Sequence, residues 1–257
     1  MPVERITFSG AQGQELAAHF HDPAGPMHAC ALFAHCFACG DNAQAAVKIA
    51  DALAERGIGT LRFDFTGLDE HEHNLARAFF TSSAEDIVAA AGWLREARLA
   101  PTILIGHSLG GAAMLSAAGR ISEALAVATI GAPAHPASLS QLLVDEAEEI
   151  AEHGRAQVKL GERSFRVSKH FLEELAAQGA RKTISKLGKA LLVFHSPDDQ
   201  LLSVDNAAAL FSEARHPKSF VCLDGADHLL SREQDVEYAA VVLAAWASRT
   251  LPSASAG

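Results

Sequence analysis

The amino-acid sequence predicts an α/β protein: one mostly parallel sheet covered by helices on both faces, with a small cap inserted late in the chain. Two observations carry this reading. Continuous apolar runs rich in branched and aromatic residues alternate with Ala-rich stretches of helical period along most of the chain, and strands buried on both faces belong to parallel sheets. The 257 residues are 49% hydrophobic and 20% charged, enough to bury one large core within a single domain. That balance excludes disordered, collagen-like and coiled-coil proteins.

The elements follow in order. Arg5-Ile6-Thr7-Phe8 and residues 16–20 flank Gly10-Ala11-Gln12-Gly13, which reads as a hairpin at a sheet edge. Residues 29–35 predict a buried strand and 43–56 a helix; 59–65 predict the next strand and 83–98 a helix. Ser82 with Glu85 three residues on fits a capping box for that second helix. A strand over 102–106 runs into a helix beginning at Leu109. Residues 125–130, 191–195 and 220–223 complete the inner strands, and a last helix covers 235–248. Residues 133–188 separate two predicted strands where a short connection would suffice. This polar stretch carries two helical segments, 141–153 and 169–178, with a hairpin pattern at 157–165 between them. It reads as a cap over the sheet within one domain spanning 1–257, and the tail 252–257 as frayed.

Charge narrows the function classes. Lys plus Arg number 21 against 31 Asp plus Glu, a formal charge of -10, and no basic block offsets it. Such a surface repels phosphate backbones, so nucleic acid is not an expected partner. No apolar run approaches the roughly 20 residues of a membrane helix, and Met1 to Gly10 show no basic region leading into an apolar stretch. With four cysteines and no disulfide pattern, a cytoplasmic protein is expected. Cys36 and Cys39 stand in a C-x-x-C spacing, read as small packing residues in preference to a redox pair.

Chemistry concentrates at Ile105-Gly106-His107-Ser108-Leu109-Gly110-Gly111, a Gly-x-Ser-x-Gly sequence between a predicted strand and a predicted helix. The turn is so tight that positions two before and two after the serine, Gly106 and Gly110, must be glycine or nearly so. With His107 they form a nucleophile elbow that lifts the Ser108 hydroxyl above the sheet at a helix N-terminus. A serine hydroxyl needs a base, and the base needs an orienting acid. In this architecture the order is Ser, then Asp or Glu, then His, all at the carboxyl ends of strands. His216 precedes a strand and lies at the wrong end; His228 follows that strand and is the expected base. The acid should follow the strand 191–195, in Ser196-Pro197-Asp198-Asp199. Pro197 at the second turn position leaves Asp198 at the exposed third, which favours Asp199 over Asp198. Asp224 and Asp227 read as turn and capping residues. The oxyanion donors expected are the backbone N–H groups of Leu109 and of Phe37, the latter after the strand ending at His35.

The chain resembles the α/β-hydrolase superfamily, and more narrowly the hydrolase half of bifunctional α/β-hydrolase/OsmC fusion proteins. The resemblance rests on Leu32-Phe33-Ala34-His35-Cys36-Phe37, Arg62-Phe63-Asp64-Phe65-Thr66-Gly67-Leu68 and the Ser108 segment. It continues through Ala128-Thr129-Ile130-Gly131-Ala132-Pro133, His216-Pro217-Lys218-Ser219-Phe220 and Gly225-Ala226-Asp227-His228-Leu229-Leu230-Ser231. The superfamily's acid pattern, His-Gly-x-x-Asp, falls on His195 to Asp199 and implies Asp199 as the acid. It implies the α/β-hydrolase fold, no cofactor and, through the fusion relatives, an OsmC-type partner. Two departures stand out. Asp69-Glu70-His71-Glu72-His73-Asn74 replaces the Gly- and Ser-containing stretch of relatives, and the sequence runs to Gly257 without an OsmC stretch, as either a standalone relative or the hydrolase part of a fusion would.

The function expected is a serine hydrolase cleaving small carboxylic esters through an acyl-enzyme intermediate. Thioesters and amides are alternatives on the same three residues, and a non-catalytic ligand-binding protein is the alternative of another class. Residues 69–73 have neither a helical i, i+4 histidine pair nor a known ligand spacing, so no metal site is expected.

Overall fold

Five strands are buried at every residue, which is why each reads as a largely apolar run: β3 (Ala29–Ala34), β4 (Ile58–Phe63), β7 (Ile103–His107), β8 (Ala126–Ile130) and β11 (Ala190–His195). The structure, a computed structural model, describes residues 2–34, 44–63, 68–69, 72–73, 80–135, 147–160, 163–170, 173 and 184–251. Around the five strands an eight-stranded sheet forms in the order β1-β2-β4-β3-β7-β8-β11-β12, with β1 (Val3–Ser9), β2 (Glu15–His21) and β12 (Lys218–Cys222) completing it. All pairs from β4 to β12 are parallel; β1 and β2 form an antiparallel hairpin, and β2 runs antiparallel to β4. Within the eight-stranded sheet this hairpin shows the alternation of a half-buried strand, with Ile6 and Phe8 on β1 facing the core. The chain thus has the α/β-hydrolase fold.

Helices cover both faces. On one side α1 (Gln44–Ala54) and α6 (Glu233–Thr250) bury Ala46, Ile49, Leu53, Val236, Ala240, Leu243 and Ala247 against Phe33, Ile105 and Phe194. On the other, α2 (Phe80–Ala97), α3 (Leu109–Ala117) and α5 (Asp205–Glu213) pack on Leu32, Leu104, Val127 and Val193. Fully buried Phe20, Phe33, Phe63 and Phe194 each contribute roughly 1.5–3 kcal/mol of transfer free energy. The α2 N-terminus differs from the sequence expectation. The helix starts at Phe80, so Ser82 and Glu85 lie within it instead of capping it. The apolar stripe Ala84, Ile87, Ala91 and Leu94 sets the helix through packing, and packing overrides the local capping pattern.

One buried polar network joins β2, α1 and β4. The Arg62 Nε–H donates to His21 Nε2 (2.9 Å), which leaves the His21 Nδ1–H to donate to Asp51 Oδ1 (2.9 Å). Arg62 is always a donor here, so the His21 tautomer is fixed, and burial pushes its pKa down.

Between β8 and β11 lie α4 (Ala147–His153) and an antiparallel hairpin of β9 (Arg155–Leu160) and β10 (Arg163–Ser168). Ala156 and Val167 oppose each other in that hairpin and are both buried, Val167 joining the larger core cluster. Strand β10 runs beside β6 (Glu72–His73), which pairs with β5 (Leu68–Asp69) in a short hairpin of its own. Residues 141–146 and most of the predicted 169–178 helix lie outside the described residues. Among the described residues, no helix is long and apolar enough to cross a membrane.

Candidate active site

Strand β7 ends at His107 and α3 begins at Leu109, so Ser108 alone makes the turn, at φ 55 and ψ -128. A non-glycine residue in this region costs on the order of 1–3 kcal/mol, which the packing around it must offset. That packing is tight. A Cβ on Gly106 would lie 2.5 Å from the Gly110 carbonyl oxygen and the Gly111 Cα, and one on Gly111 would lie 2.6 Å from the Ala132 Cβ. The Ser108 N–H donates to the Ile130 carbonyl (2.8 Å), and the Gly111 N–H to the Ser108 carbonyl (2.9 Å). Leu109 and Gly110 are buried in the first turn of α3, where backbone N–H groups have no carbonyl one turn earlier in the helix. Phe37, the other expected oxyanion donor, lies outside the described residues, as do His35, Cys36 and Cys39.

The acid-bearing loop leaves β11. The Asp199 N–H closes a turn on the Ser196 carbonyl (3.3 Å), leaving Asp198 exposed and Asp199 buried. Asp199 Oδ1 accepts the N–H groups of Leu201 (2.8 Å) and Leu202 (2.9 Å), which holds the carboxylate to its own loop. Its Oδ2 accepts the Nδ1–H of His228 at 2.7 Å. The other imidazole nitrogen, Nε2, stands 2.9 Å from Ser108 Oγ and accepts its hydroxyl proton. Ser108, His228 and Asp199 therefore form one hydrogen-bonded chain across residues separated by 120 and 29 positions. His216 is exposed just before β12, away from this chain.

Neighbours hold the arrangement. The His107 Nε2–H donates to the His228 carbonyl (2.8 Å), and the two rings lie 5.1 Å apart. The His195 Nε2–H donates to the Leu202 carbonyl (2.8 Å) and stands 3.5 Å from Asp199 Oδ2. Asp227 Oδ1 accepts the Ser231 N–H (2.8 Å), while Leu230 adopts φ 53 in the same loop. Asp224 Oδ1 lies 3.1 Å from the Cys222 thiol.

Burial pushes the His228 imidazole below the ordinary histidine value of 6.5, only partly opposed by the Asp199 hydrogen bond, and the nearby His107 adds to the lowering. Burial alone would push Asp199 up. The hydrogen bond and charge of His228, with the Leu202 and Leu201 N–H groups, outweigh it and hold the carboxyl down. At neutral pH the pair is thus a neutral imidazole beside a carboxylate. A neutral imidazole facing a serine hydroxyl can take its proton, and a carboxylate behind it can stabilise the resulting imidazolium. Burial also pushes the Cys30 thiol up to about 12, leaving it a packing group. Among the described residues, no group of three or more His, Cys, Asp or Glu could hold a metal ion; the side chains at 69–73 lie outside them.

Sequence reasoning missed two residues at the site. Gly131, just past β8, has φ 53, and a Cβ there would lie 3.3 Å from His228 Nδ1 and 3.5 Å from Asp199 Oδ2. A glycine at the carboxyl end of a central strand was the available signal. The other is Asp198, whose Oδ2 accepts the Gly225 N–H at 2.8 Å across the two loops. Nothing in the spacing of these residues signals that contact.

Known proteins share this architecture. The esterase domain from a Rhodothermus marinus protein is 45% identical, with a TM-score of 0.81 over 97% of this chain and 99% of that one. Est1E from Butyrivibrio proteoclasticus, 16% identical, superposes with a TM-score of 0.76 over 96% and 98% of the two chains, a likeness of fold. The uncharacterized protein YfhR of Salmonella typhi is 24% identical over 233 residues, 88% of this chain and 75% of that protein. Residues 31–241, from β3 into α6, match the alpha/beta hydrolase family. With both the sheet order and this match in hand, the chain belongs to the alpha/beta hydrolase family.

Proposed function

We propose that the protein is a serine hydrolase that cleaves small carboxylic esters through an acyl-enzyme intermediate. The observation that supports this most is the chain from Ser108 Oγ to His228 Nε2 (2.9 Å) and from His228 Nδ1 to Asp199 Oδ2 (2.7 Å). In this reading Ser108 Oγ attacks the ester carbonyl carbon as its proton passes to His228 Nε2. Asp199 holds the imidazole in the required tautomer and stabilises its charged form without taking the proton. The carbonyl oxygen, now an anion, accepts the Leu109 N–H at the start of α3, with Phe37 as the second donor. His228 then returns the proton to the leaving alkoxide and the acyl group stays on Ser108. A water molecule, deprotonated by the same histidine, releases the carboxylic acid and restores Ser108. The 45% identical relative is an esterase domain, which favours esters over thioesters or amides on the same residues. The free thiols of Cys30 and Cys222 suit a reducing compartment such as the cytoplasm.

The test is Ser108→Ala with p-nitrophenyl esters of increasing chain length. Turnover should fall roughly 10³-fold or more, since oxyanion and binding contacts alone remain. A fluorophosphonate should label the native protein at Ser108, located by mass spectrometry. Full activity in the alanine variant, with label found elsewhere, overturns the reading.

A further inference from the structure

We propose that Asp198 is a positioning residue, setting His228 against Asp199 by gripping the backbone of the histidine loop. The inference rests on the serine-hydrolase reading, in which the two residues come from separate loops. Those loops leave the neighbouring strands β11 and β12 and share one ladder hydrogen bond at their base, from the Leu223 N–H to the His195 carbonyl (2.9 Å). Above it the loops are joined by two adjacent carboxylates. Asp199 holds the imidazole itself, and Asp198 Oδ2 accepts the Gly225 N–H at 2.8 Å, three residues before His228.

Both ends of that second link are tied into their own loops. The Asp198 N–H donates to Ser196 Oγ (3.1 Å), and the turn behind it is closed by the Asp199 N–H on the Ser196 carbonyl. Gly225 has φ 72, an Arg232 guanidinium nitrogen lies 3.1 Å from where a Cβ would stand, and Arg232 is itself engaged by Asp235 at 2.7 and 2.9 Å. The Ala226 N–H closes on the Leu223 carbonyl (3.1 Å), and Ala226 is fully buried. A shift at Gly225 therefore passes directly to His228. On the far side, His107 holds the His228 carbonyl (2.8 Å). Without Asp198 the backbone of the histidine loop loses its link to the acid loop above the Leu223 rung, and the imidazole depends on Asp199 and on the His107 contact for its placement. Displacements near 1 Å in such a group are felt strongly in kcat. Because Asp198 is exposed, its removal leaves neither a cavity nor a buried unpaired charge.

The experiment compares Asp198→Ala with Asp198→Asn, whose amide oxygen still accepts the Gly225 N–H. Steady-state hydrolysis of p-nitrophenyl acetate is normalised to active sites counted by the end-point of fluorophosphonate labelling. The alanine variant should lose roughly 10-fold in kcat per labelled site, the kinetic equivalent of one charge-assisted hydrogen bond, with KM within about twofold. The asparagine variant should keep kcat within about threefold of the native protein. A merely structural role would lower the labelled fraction or the melting temperature and leave kcat per labelled site unchanged. That result, or an asparagine variant as impaired as the alanine one, overturns the proposal. Asp198→Ser, one atom too short to reach Gly225, carries the same expectation and serves if the alanine variant folds poorly. Failure of the hydrolase reading is recognised separately, by a native protein that a fluorophosphonate does not label at Ser108.

Discussion

His228 gathers the opposing forces at this site. Burial disfavours its charged form, Asp199 favours it, and burial outweighs the carboxylate, so its pKa sits below 6.5. In the proposed mechanism His228 acts as general base and must be neutral, and the imidazole stays neutral until the pH falls through that lowered value. The acid limb of kcat/KM is therefore expected to have its midpoint below 6.5, in a pH profile measured with an unchanged ester substrate. A midpoint above 6.5 would show that Asp199 dominates over burial, contrary to the lowering. Residues of this kind were legible in the sequence to different depths. Ser108 announces itself because its strained turn demands small neighbours on both sides. Asp199 is separable from Asp198 because a proline in the preceding position dictates which of them faces outward. The grip of Asp198 on Gly225 spans 27 positions and depends on where two loops lie after folding, so no local pattern carries it.

At the scale of elements, the joint between β7 and α3 is closed by backbone against backbone. Gly106→Ala would place a methyl group 2.5 Å from the Gly110 carbonyl and the Gly111 Cα, atoms of backbone that cannot turn aside. The helix would have to lift off the strand, carrying Leu109 and Ser108 with it. The variant is expected to lose soluble yield or, where soluble, at least about 10²-fold in turnover, as misplaced donors do. Wild-type kcat in a well-folded Gly106→Ala protein would show that the joint has slack. The inner strands were readable to within one or two residues because burial on both faces makes them predominantly apolar, with only isolated polar residues such as Thr60, Arg62 and Thr129. The start of α2 was not, since its apolar stripe and not its first turn decides where it begins. The insertion was legible as polar sequence with a hairpin in it. That β10 runs beside β6, the strand built from the departing Glu72-His73 stretch, is a matter of tertiary placement alone.

For the molecule as a whole, the antiparallel β1–β2 hairpin closes one side of the sheet and the helices fill both faces, yet the site is not a set of loops resting on that frame. Each arm of the site begins with one more rung of the sheet's own hydrogen-bond ladder. Ser108 donates to Ile130 as β7 ends, Gly131 donates to Phe194 as β8 ends, and Leu223 donates to His195 as β12 ends. Strand spacing thus serves as the ruler that separates Ser108, Asp199 and His228; opening the first two rungs means parting central strands, and opening the third parts the edge strand β12 from β11. The amide protons of Ser108 and Gly131 should accordingly exchange with deuterium about as slowly as those within β7, β8 and β11, through the same global opening. Exchange at these two amides orders of magnitude faster than in the neighbouring strands would show that the site opens by itself. Heat should then abolish hydrolysis and unfold the sheet at one temperature, so that the protein has no warm, folded but inactive state.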